Sequence, residues 1–89
     1  MKRIEVSPDD QIALILHAEH ALTLRDRLEQ ARLAGRADEL GKLSAEIEDI
    51  RLRGIELQKR IAAPSGVAYE RILLEFRDNS IDVWDKGSS

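Results

Sequence analysis

The sequence predicts a mainly α fold: an antiparallel two-helix hairpin with a short third helix, assembling as a homodimeric helical bundle. Three observations carry this reading. Two long stretches contain no helix breaker and end at glycine or proline. Both space their apolar residues alternately three and four apart. The connection between them is short, which makes the two helices antiparallel neighbours. Composition agrees, because hydrophobic residues fill 43% of the 89 positions while aromatics fill only 3%, so the core has to be aliphatic. A chain this short forms one domain that is marginal alone.

Residues 2–6 alternate around Ile4 and Val6, as a short strand or an extended arm would. Ser7-Pro8-Asp9-Asp10 starts the first helix, expected over 7–34. The serine hydroxyl can accept a free N–H of the first turn, proline needs no donor there, and the aspartates face the positive end of the helix dipole. Gly35 offers a left-handed cap. The second helix is expected over 37–62, stopped by Pro64-Ser65-Gly66, and the third over 67–77, with Tyr69, Ile72, Leu73 and Phe76 as its stripe. Residues 80–84 alternate like a strand, with Ile81-Val83 a candidate to pair with Ile4-Val6, and 85–89 read as a polar tail.

The seams fix a register. Leu14, His17, Ala21, Leu24, Leu28 and Ala31 line one helix, and Leu40, Leu43, Ile47, Ile50, Gly54, Leu57 and Ile61 the other. Antiparallel pairing sets Ala31 against Leu40, Leu28 against Leu43, Leu24 against Ile47, Ala21 against Ile50, and Leu14 against Leu57. It also sets Gly54, a poor helix former, opposite His17, where a missing side chain makes room for an imidazole.

The hairpin holds more apolar residues than one seam uses. Ile12, Leu16 and Ile55 lie off it, and with Ile81, Val83 and Trp84 they are the expected partner-binding residues. Trp84 is expected to fold back as a lid on the hairpin, or else to anchor a partner.

The sequence offers little to other function classes. The chain has no cysteine, so no disulfide, thiolate or Cys-type zinc chemistry is open to it, and a reducing, cytoplasmic setting is expected. Met1-Lys2-Arg3 precedes no apolar run of signal-peptide length, and no stretch approaches the ~20 apolar residues of a membrane span. His17 and His20 share a helix face at metal-ligand spacing, but no motif fixes a third ligand, so neither metal nor cofactor is expected. If His17 is buried in the seam, its protonation opposes packing, and weaker association in mild acid is expected.

Fourteen basic against seventeen acidic side chains give a net charge of −3. The densest basic stretch, Arg51, Arg53, Lys59 and Arg60, is interleaved with Glu48, Asp49 and Glu56 at spacings typical of surface ion pairs. It supports a nucleic-acid-associated regulator only as an alternative reading. A small helical enzyme or ligand binder with a site between hairpins is the other, and no converging set of pKa-tuned groups marks a catalytic site. The leading expectation is a non-enzymatic protein-interaction module: a small helical adaptor, chaperone-like factor or inhibitor that also pairs with itself.

Overall fold

The computed structural model describes residues 1–87, so Ser88 and Ser89 of the expected tail lie outside the described residues. In chain order it contains β1 (Lys2–Ile4), α1 (Pro8–Leu33), α2 (Ala37–Ala62), short 3-10 turns at Ala63–Ser65 and Tyr69–Arg71, β2 (Ile72–Phe76) and β3 (Ile81–Asp85). Among the described residues no helix is long and apolar enough to cross a membrane.

Local chemistry sets the ends of α1. The Ser7 hydroxyl accepts the Asp10 N–H at 3.2 Å. At the other end Gly35 adopts φ +69°. This lets the Gly35 N–H reach the Arg32 carbonyl at 3.2 Å and the Arg36 N–H the Ala31 carbonyl at 3.0 Å. That pair of bonds is a Schellman cap, and it reverses the chain directly into α2.

The two helices meet along the expected seam. Leu24, Ala31, Leu43 and Ile50 form a buried cluster flanked by Ala21, Leu28, Leu40 and Ile47. His17 lies against Gly54: a methyl group built on Gly54 would stand 2.9 Å from two atoms of the imidazole. The ring is held by its Nε2, 2.9 Å from the Ile50 carbonyl oxygen. A carbonyl only accepts, so Nε2 carries the hydrogen. The ring blocks the seam at this level, and a second apolar cluster lies beyond it.

That cluster is roofed by a sheet. The strand order is β1-β3-β2, antiparallel throughout. Ile4, Ile72, Ile81 and Val83 pack beneath it on Leu14, Ile61 and Ala62. Within the chain, β1 and β3 align Ile4 with Val83 and Lys2 with Asp85. The third helix expected over 67–77 is not formed; a 3-10 turn at Tyr69–Arg71 is followed by β2. The reason is long-range. The stripe Tyr69, Ile72, Leu73, Phe76 fits a helix, but Ile72, Leu74 and Phe76 also alternate with Leu73 and Glu75. Only the extended form supplies hydrogen-bond partners to the second side of β3, which is central and has buried residues.

One side chain joins helix to sheet. Gln11 Nε2 donates to the Ile81 carbonyl at 2.7 Å, and Gln11 Oε1 accepts the Ile81 N–H at 2.6 Å. In the β1–β3 register Val6 would face Ile81, but β1 stops at Ile4. The Gln11 carboxamide therefore supplies the donor and acceptor that the next residue pair of β1 would have supplied. The strands are further tied by carboxylates of β3. Asp82 receives Arg3 Nη2 at 3.3 Å and Arg77 Nε at 2.5 Å. Asp85 receives Arg71 through Nε at 3.0 Å and Nη2 at 2.9 Å. Asp85, expected in a polar tail, is thus a buried end of the sheet.

Two stability measurements follow, both by urea unfolding. Gly54→Ala gains helix propensity but drives a methyl into the imidazole, and is expected to destabilise by about 1–3 kcal/mol. Gly41→Ala, in the same helix with nothing near its added methyl, is expected to stabilise by up to ~1 kcal/mol. A matching effect of the two would refute the His17–Gly54 contact. Gln11→Leu leaves the buried Ile81 N–H and carbonyl unpaired and is expected to cost at least about 2 kcal/mol. A neutral result would show that the carboxamide is dispensable.

Candidate functional site

The residues singled out from the sequence fall into three environments. Ile12 and Leu16 stand one turn apart on the side of α1 away from α2 and the sheet, 56% and 60% exposed. Ile55 is half-buried and lines a shallow groove of about 890 Å³ between the helices, shared with Ala13, Leu52, Leu57 and Tyr69. Ile81 and Val83 are core residues, 3% and 1% exposed. They cannot meet a partner while the sheet is folded, because β3 is the central strand and directs them at Leu14 and Ile61.

Trp84 alternates with Val83 and so occupies the opposite, outward face of the sheet, facing Arg3 on β1 and Leu73 on β2. The terminal segment does fold back over the hairpin, but Ile81 and Val83 do the covering and the indole does not. Trp84 is half-buried, and its Nε1–H is shielded with no acceptor among the described residues.

A further apolar surface went unread in the sequence. Leu22 and Phe76 are 59% and 62% exposed. They flank an apolar cleft of about 400 Å³ between α1 and β2, lined also by Leu14, Ala18, Ala21 and Leu74. Leu22 lies off the seam next to Ala21, and its pairing with Phe76 depends on β2 being a strand.

The four basic residues singled out on α2 are each matched by a carboxylate. Arg51 bonds Glu48 at 2.6 Å, Arg53 bonds Asp49 at 3.1 Å, Lys59 lies 3.7 Å from Glu56, and Arg60 reaches across to Asp10 on α1 at 2.6 Å. The hydrogen bonds from the Arg51 guanidinium hold the Glu48 carboxyl below the usual carboxylate range and raise Arg51 in turn. These pairs are exposed and contribute little to stability, but they cancel the local positive field. Lys59 also sits 5.2 Å from the Tyr69 ring centre, tying α2 to the turn before β2. His17 is committed to the seam, and among the described residues no group of three or more His, Asp or Glu side chains converges as a metal site.

Because each cation of this stretch has an acidic neighbour, the chain is expected to leave a heparin column below physiological salt, about 0.15 M. Retention well above that concentration, lost on substituting Arg51 and Arg53 together, would restore the nucleic-acid reading. Comparison with protein-family models, with curated proteins and with solved structures finds no match for this chain.

Proposed function

We propose that the chain is a non-enzymatic protein-interaction module that docks an apolar surface of another protein on the outer face of α1. The observation that carries this is the exposed pair Ile12 and Leu16. Neither contributes to the two buried clusters, so the fold does not require them to be large and apolar. Adjacent exposed side chains of this kind cost solubility without stabilising the monomer, which is the usual mark of a contact surface. Their neighbours Glu19 and His20 are polar and exposed, giving an apolar centre with a polar rim. The adaptor, chaperone-like and inhibitor roles all use such a face.

A photoreactive residue in place of Leu16 tests the reading in the cell of origin. It is expected to give a discrete crosslinked protein, absent when the same residue replaces exposed Gln30 at the far end of α1. Adding Ile12→Asp to the chain that carries the photoreactive residue at position 16 is expected to abolish the product while changing stability by no more than about 0.5 kcal/mol. Equal or no crosslinking at the two positions would overturn the proposal.

A further inference from the structure

The two edges of the sheet are not alike. The β1 edge is three residues long and carries Lys2 and Arg3, and short, charged edges resist pairing. The β2 edge, Ile72-Leu73-Leu74-Glu75-Phe76, has one charge and no proline.

Hydrogen bonds at either end of β2 show which groups that edge presents. Lys86 N–H donates to the Arg71 carbonyl at 2.9 Å, and Arg77 N–H donates to the Ser80 carbonyl at 2.8 Å. Both pairs lie in the β2–β3 register. In an antiparallel strand successive residues turn both backbone groups to opposite sides. Leu73 and Glu75 therefore bond β3, while Ile72, Leu74 and Phe76 face outward. The Ile72 N–H is taken by the Tyr69 carbonyl. The N–H of Leu74 and Phe76 and the carbonyls of Ile72, Leu74 and Phe76 have no backbone partner among the described residues.

We propose that this edge pairs with the same edge of a second copy, antiparallel about Leu74, joining two three-stranded sheets into one of six strands. The set of free groups is self-complementary. Leu74 of each copy exchanges two bonds with Leu74 of the other, and each Phe76 N–H reaches an Ile72 carbonyl. The register is restricted in both directions. A one-residue slip misdirects every outward group. A two-residue slip either sets Glu75 opposite Glu75 or pairs only three residues. Centred on Leu74, Glu75 faces Leu73 of the second copy, so no like charges stand opposite each other across the new pair. The side chain of the second copy's Leu74 enters the layer between sheet and helix, over the cleft flanked by Leu22 and Phe76. Exposed apolar surface and free backbone groups are thus covered by one symmetric contact.

This inference deepens the reading of the chain as an interaction module by naming one partner, and its test is separate from the Leu16 crosslink. The first readout is solution mass by sedimentation up to about 1 mM, a concentration at which even weak pairing is populated. A concentration-dependent approach to twice the 10.1 kDa chain mass is expected. Phe76→Pro removes two of the intermolecular donors without touching the β2–β3 ladder, and is expected to weaken dimerisation about tenfold or more, with circular dichroism reporting an intact fold. The chain has no cysteine of its own, so a mixture of Leu73→Cys and Glu75→Cys chains is expected to form a mixed disulfide on mild oxidation. A monomer throughout the range overturns the proposal. So does a dimer that is indifferent to Phe76→Pro and forms a disulfide through Leu16→Cys instead, which would mark helix-face pairing.

Discussion

The sheet depends on the Gln11 carboxamide. β3 is the central strand, and its outward-turning residues need partners on the side where β1 has already ended. Gln11 meets both backbone groups of Ile81 at 2.6 and 2.7 Å from the first turn of α1. A side chain acting as a strand residue does two things at once. It completes the hydrogen bonding of a buried segment, and it fixes where the sheet sits along the hairpin. The distance between residues 11 and 81 in the chain also means that neither segment can be placed without the other.

From that placement follows the unequal character of the two ends. Helices of 26 residues run about 39 Å, and five-residue strands about 17 Å, so the sheet covers less than half of a molecule 46 Å long. Near the sheet, three layers of contact surround Leu14, Ile61 and Val83. Beyond the His17 ring only the seam of Leu24, Ala31, Leu43 and Ile50 holds the helices together. Two helices packed on one aliphatic seam supply little stability, and the Schellman cap at Gly35 compensates by making the reversal short. The hairpin tip is accordingly the segment expected to open first under local unfolding.

The hairpin was legible in the sequence because its determinants are local or periodic. Ser7 and Gly35 mark the ends of α1, and the three-four spacing gives the seam. The size match of His17 with Gly54 picks the register. The pairing of residues near Ile4 with those near Val83 was legible as alternation, though its partner strand was not. β2 was misread because a five-residue apolar segment satisfies both periods, and the choice is made by β3 rather than by the segment. Gln11 was invisible for a related reason: a glutamine in the first turn of a helix looks solvated, and its partner is a backbone rather than a residue type. The candidate surfaces divide the same way. Ile12 and Leu16 were found as residues surplus to the seam. Ile81 and Val83 were assigned to a partner because the sheet that buries them had not been assembled.

Amide hydrogen exchange by NMR tests the central claim, that the sheet is strapped to the hairpin through Gln11, most directly. The Ile81 N–H should be among the slowest to exchange, in a class with the core of α1 near Leu14, although only eight residues of the sequence follow it. Exchange of Ile81 at the rate of a solvated chain end, with Leu14 still protected, would show a folded hairpin whose sheet is not fastened to it, and would contradict the account.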